Sequence, residues 1–221
     1  MNDGRAQQRQ ITRLALDAAG ADAGFALAGS GAIREHGLID RPTEDIDLFT
    51  VQAELPAFPA AVDRVLTALR EVGYTVETRR HTDTFAQLNV TDAEGHTLGI
   101  DMGVDWREHP PVGLEVGPVL DINDAVGNKI AALFSRAETR DYLDVDAIRR
   151  TGRYTDTELL ELARNADPGF DPPSFAQCLD RVDRIQPEEV RVYRVSAEDL
   201  DAVKRRLTSW ARGLRRDTMR S

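Results

Sequence analysis

The sequence has 221 residues, with 28 basic and 38 acidic side chains and a formal net charge of −10 at pH 7. A chain this acidic is not expected to coat nucleic acid non-specifically, and its apolar runs are too short to cross a bilayer. The N-terminal residues lack the apolar stretch of a secretory signal, and the single cysteine, Cys178, can form no internal disulfide. These features predict a cytoplasmic protein without a membrane partner.

The first half of the chain mixes helical and strand patterns. Apolar residues at helical spacing predict helices over 5–19, 32–36 and 56–73. A period of two predicts strands over 74–80, 84–91 and 97–104, in addition to a short buried strand at 25–28 and a strand that carries Asp45 and Asp47.

Asp45 and Asp47 are the first candidate site residues. Side chains alternate along a strand, so these two carboxylates share one face while Ile46 and Leu48 take the other. Paired carboxylates repel unless a cation lies between them, and Mg²⁺ is the usual one. Asp101 interrupts the apolar strand 97–104, which predicts a third acid at the same site because an unpaired buried carboxylate is costly. An alternative is that Asp101 lies on an edge strand and faces water.

Gly29, Ser30 and Gly31 are predicted to form a turn between the strand 25–28 and the following helix. The backbone N–H groups of such a turn, together with the positive end of the helix dipole, favour binding of an anion such as phosphate. A phosphate-binding turn beside paired carboxylates indicates a site that handles nucleotides.

The second half is predicted to be helical. Residues 106–118 are rich in Pro and Gly and indicate a linker. Beyond them, helical patterns cover 121–135, 141–150, 155–165, 173–185 and 197–212, with a short strand predicted at 190–195. The predicted fold is therefore α+β, with an α/β domain over 1–110 and a helical domain over 111–221.

Lys129 lies near the apolar side of its helix, so its ammonium group must reach the surface or an anion. Asp141 and Asp144 are three residues apart on a predicted helix and share one face. We expect one of them to orient Lys129; a preference for acids at a helix N-terminus is the alternative explanation.

The C-terminal segment 203–221 departs from the acidic average. Seven basic residues and one acid, Asp217, give it a net charge of +6. The basic residues are Lys204, Arg205, Arg206, Arg212, Arg215, Arg216 and Arg220. This segment is either a solvated helix face or a contact for the phosphate backbone of RNA.

The segments GS, TEDIDL, NKIAALFSR and RDYLDV occur in the order and approximate spacing of a known family. Over residues 25–148 the chain resembles the AbiEii/AbiGii-type nucleotidyltransferase toxins of the polymerase-β-like superfamily. The resemblance implies a nucleotidyltransferase-like mixed β-sheet flanked by helices and followed by a helical C-terminal domain.

The resemblance also implies roles for single residues. Gly29 and Ser30 would cradle the triphosphate of an NTP, Asp45 and Asp47 would bind Mg²⁺, and Thr43 matches a Ser/Thr position beside the site. Lys129 would contact nucleotide phosphates, and Asp141 or Asp144 would complete the site from the helical half. Asp101 matches the third acid of the superfamily by its place on a strand.

Members of this family are bacterial, cytoplasmic and often the toxins of toxin–antitoxin pairs, so the resemblance implies a cognate antitoxin encoded elsewhere. Some members add nucleotides to tRNA 3′ ends, which makes tRNA the expected acceptor. A small-molecule acceptor, such as an aminoglycoside, and a non-catalytic partner-binding module on the same fold are the alternatives. A modification of the Thr43 hydroxyl could also regulate the site, because a phosphate there would repel the triphosphate.

Overall fold

The structure, a computed structural model, describes residues 3–43 and 45–218. The chain divides into two compact units: residues up to 36 together with 42–122 form the first, and 37–41 together with the residues from 123 onward form the second. The division into domains 1–110 and 111–221 stays a prediction.

The first unit is built around a mixed sheet with the strand order β3-β4-β5-β2-β1-β7-β6. The strands are β1 (Ala26–Leu27), β2 (Asp45–Thr50), β3 (Thr75–His81), β4 (Phe85–Thr91), β5 (Thr97–Val104), β6 (Val112–Leu114) and β7 (Gly117–Val119). The helices are α1 (Asp3–Ala19), α2 (Gly29–Glu35) and α3 (Phe58–Glu71), with short 3-10 turns at Ala21–Ala23 and Gln52–Ala57. The strand β2 runs parallel to β5, and β1 runs parallel to β7. This arrangement confirms the predicted mixed sheet with helices.

The core of the first unit follows the periodicity of its sequence. Ile46 and Leu48 of β2 are fully buried, whereas the aspartates that alternate with them are half-buried. The apolar stripe of α3, from Val62 to Leu69, is also buried, and α1 packs against α3. The apolar face of the sheet therefore forms the core, and the aspartates of β2 lie on the opposite face.

The predicted linker at 106–118 is wrong. Within it, β6 and β7 form a hairpin, and β7 pairs with β1 through Leu27 and Val119. The strands are only three residues long and contain Pro118, so their local sequence pattern is that of a loop. They form because β1 offers an unpaired edge, which a local pattern does not reveal.

All the secondary structure in the described residues of the second unit is helical. Its α-helices are α4 (Ile122–Ser135), α5 (Thr139–Arg150), α6 (Asp156–Ala166), α7 (Pro172–Asp180), α8 (Pro187–Val190) and α9 (Ala197–Thr218). Short 3-10 turns follow α7 at Arg181–Arg184 and α8 at Arg191–Tyr193. Its core contains buried apolar residues from α4, α5, α6, α7 and α9. The helix α7 packs against α9, where Phe175 lies edge-on to Trp210 at 5.3 Å between ring centroids.

The strand predicted at 190–195 is wrong as well. Val190 ends α8 and the next residues form a 3-10 turn. Pro187 in the first turn and the capping box between Gln186 and Glu189 start a helix there, and these signals outweigh the β-propensity of the valines. None of the helices in 3–43 and 45–218 combines the length with the apolar composition needed to cross a membrane.

Candidate active site

Three predicted carboxylates share one face of the sheet in the first unit. Asp45 and Asp47 lie two residues apart on β2, and Asp47 is paired in register with Asp101 of the neighbouring strand β5. Residues opposite each other in register point to the same face. All three side chains are therefore presented together, and all three residues are half-buried. Since β5 lies between β4 and β2, the alternative of an edge strand for Asp101 is wrong.

Two neighbours shape the surroundings of these acids. Gln87 on β4 is opposite Asp101 and donates a hydrogen bond from Nε2 to Asp101 Oδ1 at 3.0 Å. Gly99 is opposite Asp45, so no side chain is placed beside that carboxylate at this register position. Gln87 fixes the orientation of one carboxylate, while Gly99 leaves room next to another.

Gly29 lies directly against the aspartate strand. Its φ is +54°, and a Cβ atom on this residue would collide with Oδ2 of Asp47. The backbone N–H of Ala28 donates to the carbonyl oxygen of Asp47 at 2.8 Å. Both the left-handed backbone and the close approach require glycine here.

The prediction of a three-residue turn before the helix is corrected in one respect. The helix α2 begins at Gly29, so Ser30 and Gly31 already lie in its first turn, and Ser30 is buried. The reversal from β1 into the helix needs one residue with positive φ, which Gly29 supplies. The N-terminal N–H groups of α2 therefore lie next to the strand that carries Asp47.

Thr43 is held by two polar side chains of the same unit. Its Oγ1 accepts a hydrogen bond from Arg34 Nη1 at 2.8 Å and donates one to Gln8 Oε1 at 2.9 Å. Gln8 also donates from Nε2 to the carbonyl oxygen of Asp45 at 2.9 Å. The buried Arg34 and Gln8 thus fix the chain on both sides of Glu44, a residue of the TEDIDL motif that lies outside the described residues.

Lys129, Asp141 and Asp144 form one cluster in the second unit. Lys129 Nζ lies 3.2 Å from Asp141 Oδ1 and 3.0 Å from Asp144 Oδ2. The lysine side chain is 4% exposed and both aspartate side chains are 0% exposed. The two acids on one face of α5 are compatible because the ammonium group from α4 lies between them.

Two arginines extend this cluster at either end. The guanidinium group of Arg41 forms a bidentate ion pair with the Asp144 carboxylate, with N–O distances of 2.6 and 2.7 Å. Arg136 forms a bidentate ion pair with Asp141 at 2.9 and 3.1 Å. The result is an alternating chain of charges, which we call the ion-pair chain: Arg41, Asp144, Lys129, Asp141 and Arg136. Alternating charges satisfy every buried member, as a low-dielectric interior requires.

The electrostatics of Asp141 follow from its partners. Burial by itself would raise the pKa of the Asp141 carboxyl, but the Arg136 hydrogen bonds and the Lys129 charge outweigh burial and hold it below its ordinary value. Asp141 Oδ2 also accepts the backbone N–H of Glu138 at 3.3 Å and so caps the start of α5. Asp141 therefore both contacts Lys129 and caps the N-terminus of α5, the two roles that the sequence left as alternatives.

Within each unit, the predicted site residues are brought together. The first unit groups the three carboxylates with Gly29, and the second groups Lys129 with two acids. Sequence reasoning missed the supporting residues, which are Gln8, Arg34, Arg41, Gln87 and Arg136 acting as partners. Arg136 ends the motif NKIAALFSR and is close in sequence to its partner Asp141, but helical spacing alone does not predict their contact across the turn between α4 and α5. Arg41 and Asp144 are far apart in sequence, and no local pattern indicates that they pair.

The described arginines of the basic C-terminal segment are of two kinds: some form ion pairs within the protein, and others are exposed. On α9, Arg206 makes a two-pronged contact with the buried Asp146 at 2.6 Å to each oxygen, and Arg215 pairs with Asp180. Arg205, Arg212 and Arg216 are exposed. Arg220 and the side chain of Asp217 lie outside the described residues. The basic character of the segment thus serves internal packing in part.

Comparisons with known proteins agree with this architecture. A profile of the family described as "Nucleotidyl transferase AbiEii toxin, Type IV TA system" matches residues 13–209. The match extends well past residue 150, beyond the range over which the motifs alone show the resemblance. A search of curated proteins found no match.

Three solved structures share the fold at low sequence identity. MenT4, a nucleotidyltransferase toxin from Mycobacterium tuberculosis, has a TM-score of 0.60 and 18% identity, covering 91% of this chain and 81% of its own. A putative nucleotidyltransferase from H. pylori has a TM-score of 0.59 and 17% identity, covering 99% and 96%. JHP933 from Helicobacter pylori has a TM-score of 0.54 and 18% identity, covering 99% and 93%. The chain belongs to the AbiEii nucleotidyltransferase toxin family and is a nucleotidyltransferase.

Proposed function

We propose that this protein transfers a nucleoside monophosphate from an NTP to the 3′ end of a tRNA, with Mg²⁺ as the cofactor, and acts as a toxin in the cytoplasm. The observation that supports this most directly is the shared face of Asp45, Asp47 and Asp101, with Gly29 packed against Asp47. The tRNA acceptor and a cognate antitoxin are supported by the family and by the exposed arginines of α9.

The three carboxylates fit a magnesium site. Mg²⁺ prefers oxygen ligands and is usually bound by one or two carboxylates together with substrate phosphates. Asp45, Asp47 and Asp101 offer such oxygens from one face, and Gln87 orients one of them. When bound, Mg²⁺ would neutralise phosphate charge and lower the pKa of the acceptor hydroxyl.

In the proposed reaction the acceptor oxygen attacks the α-phosphorus of the NTP. A bond forms between that oxygen and phosphorus, the bond from phosphorus to the bridging oxygen breaks, and pyrophosphate leaves. Asp101 would take the proton of the acceptor hydroxyl, and the N–H groups at the start of α2, with Ser30, would bind phosphate oxygens. Positioning and charge neutralisation supply most of the rate in such transfers.

We also propose roles for Lys129, Asp141 and Asp144. Lys129 would offset charge on the triphosphate, and the two acids would hold its ammonium group in place. Thr43 would fix the approach to β2 through its bonds to Arg34 and Gln8.

The direct test is incubation of the protein with each labelled NTP, MgCl₂ and total tRNA, followed by a denaturing gel. We expect label on tRNA with one NTP, loss of the label with EDTA, and recovery on adding Mg²⁺. The Asp45→Asn and Asp47→Asn variants should each lose about 100-fold or more of the rate, because the charge that holds the metal is reduced.

Asp63→Asn, at an exposed position on α3, is the matched control and should keep the wild-type rate. Labelling by Asp45→Asn at the wild-type rate would disprove the metal assignment. Label that passes to an aminoglycoside and never to RNA would replace the proposed acceptor with a small molecule.

A further inference from the structure

An open cavity of about 580 Å³ lies in the second unit between α5, α6 and α9. Its lining is dominated by charged and hydroxyl groups, and four of its residues are arginines: Arg149, Arg150, Arg206 and Arg216. Of the residues that line it, only Arg216, one of the exposed arginines of α9, supports the function proposed above. We refer to it as the α9 groove.

Both acids of the α9 groove are already neutralised. Asp146 is paired with Arg206 at 2.6 Å, and Asp156 is paired with Arg149 at 2.8 and 2.9 Å. The guanidinium groups of Arg206 and Arg149 therefore balance the two acids of the lining. The positive charges of Arg150 and Arg216 are not balanced by any acid of the lining.

Arg150 and Arg216 are exposed, and neither forms an ion pair within 4 Å with the described side chains of residues 4–43 and 45–216. Arg150 also interacts electrostatically with Asp199, which lies in the first turn of α9 and outside the lining of the groove. Thr157 and Ser209 add exposed hydroxyl groups to the lining. Thr157 lies in the first turn of α6, where the helix dipole favours negative charge. The lining thus carries a surplus of two positive charges with hydrogen-bond donors, which suits phosphate groups.

The positive surface continues along α9 outside the cavity. Arg205, Arg212 and Arg216 are exposed and are spaced by seven and four residues, so they share one face of the helix. The distance along the axis from Arg205 to Arg216 is about 16 Å at 1.5 Å per residue. A line of this length matches a polymer with repeated negative charges better than a single small anion.

Two of the three large apolar residues in the lining are covered. Trp210 is 3% exposed and Leu214 is 8% exposed, and the Trp210 ring is covered by Arg149 at 4.2 Å from its centroid. The third, Leu160, is half-buried, so the lining offers little apolar surface to a protein partner. Protein interfaces usually have an apolar core, whereas a groove of guanidinium and hydroxyl groups suits a phosphodiester backbone.

We propose that the α9 groove, with the exposed arginines of α9, binds the phosphate backbone of the acceptor RNA and so places that RNA on the helical unit. The proposal rests on the proposed function only in taking the acceptor to be RNA. Arg150 and Arg216 would each contact phosphate, while Arg149 and Arg206 hold the walls of the groove through their ion pairs.

The test measures binding of unmodified total tRNA to the full chain without NTP, over a series of KCl concentrations. The double variant Arg150→Ala with Arg216→Ala should bind tRNA about tenfold more weakly, and the slope of log affinity against log salt should fall by about 1.5. NTP binding should be unchanged. Replacing both residues by lysine should retain most of the affinity, since the charge is kept.

The matched control replaces two exposed arginines outside the groove, Arg79→Ala on β3 with Arg164→Ala in the last turn of α6. This variant has the same net charge as the groove variant and should bind tRNA like the wild type. Thermal unfolding of both variants shows whether Arg150 and Arg216 serve only to stabilise helix C-termini; a loss of stability with unchanged tRNA affinity would overturn the proposal.

The failure of this inference and that of the proposed function give different results. Normal transfer to tRNA by a groove variant with wild-type affinity and salt slope would overturn the groove and leave the function standing. Groove-dependent tRNA binding by a protein that transfers nucleotides to no RNA would support the groove and remove the proposed acceptor. Binding of poly-glutamate that depends on Arg150 and Arg216, with tRNA affinity unaffected, would assign the groove to an acidic protein segment instead.

Discussion

At the scale of single residues, Gly29 shows most clearly how the backbone and the chemistry of the candidate site depend on each other. Its left-handed conformation turns the chain from β1 into α2, and its missing side chain leaves the space that the Asp47 carboxylate occupies. A residue with a Cβ would have to displace that carboxylate or move the start of α2. The close packing of turn and acid is thus a condition for placing the N–H groups that we propose to bind phosphate beside the carboxylate that we propose to bind Mg²⁺.

This leads to a prediction for Gly29→Ala. We expect it to abolish detectable transfer activity and to lower the free energy of unfolding by more than the cost of positive φ alone, about 1–2 kcal/mol. Gly37→Ala is the matched control, because Gly37 has φ +75° but a Cβ there would meet nothing within 4 Å. Urea denaturation and the labelling assay measure both quantities. Equal losses of stability and activity in the two variants would show that the collision with Asp47 has no consequence.

Residue-level reasoning predicted the three carboxylates from their pattern but could not give their register. Alternation along β2 placed Asp45 and Asp47 on one face, and the cost of an acid in an apolar strand drew attention to Asp101. That Asp47 is opposite Asp101 depends on pairing between strands about 50 residues apart in sequence, and local pattern contains no information about such pairing. Gln87 was missed for the same reason.

At the scale of elements, the ion-pair chain joins α4, α5 and the segment 37–41 within the second unit. Buried ion pairs are costly to break, because the remaining partner is left as an uncompensated charge. Exposed pairs contribute little, since water screens them. The second unit contains Arg–Asp pairs of both kinds, so the two effects can be compared.

We predict a large difference between Asp144→Asn and Asp156→Asn. Asp144 is 0% exposed, and its loss leaves Arg41 and Lys129 without their shared acid, so unfolding should become easier by about 3–5 kcal/mol. Asp156 makes an equally two-pronged contact with Arg149 but is 46% exposed, so its loss should cost at most about 1 kcal/mol. Chemical denaturation of both variants measures the difference, and equal effects would refute the argument from burial.

Elements with strong periodicity were predicted, whereas the short elements β6, β7 and α8 were not. The helices α1 and α3 and the strands β2, β4 and β5 have regular apolar spacing over at least six residues, and the structure contains them. The three-residue strands β6 and β7 depend on pairing with each other and with β1, so the sequence suggested a linker. The valines near 190 favoured a strand, but capping at Gln186 and Glu189 starts a helix.

At the scale of the whole molecule, acid should destabilise the protein. The pKa of Asp141 is lower in the folded protein than its ordinary value of 3.8, so at acid pH the unfolded chain binds more protons than the folded one. The stability that Asp141 contributes is therefore complete well above pH 3.8 and is lost as pH falls through and below that value. Burial raises the pKa of Asp105, which opposes this trend just above pH 3.8.

The corresponding measurement is urea denaturation of the wild type and of Asp141→Asn between pH 3 and pH 6. The variant should be less stable at pH 6, and its stability should depend less on pH below about 4, because the group with the lowered pKa has been removed. Asp63→Asn should follow the wild-type curve. A slope for Asp141→Asn that matches the wild type would show that other groups cause the acid response.

The segment 37–41 makes the second unit discontinuous along the chain. This segment brings Arg41 to Asp144, yet the residues on both sides of it belong to the first unit. A fragment that begins at 123 would therefore retain Asp144 without its guanidinium partner, and it should be a poor candidate for independent folding. The same constraint applies to evolution: recombination that exchanges the helical unit between relatives would have to transfer two separate segments together, so the two units are expected to be inherited as a pair.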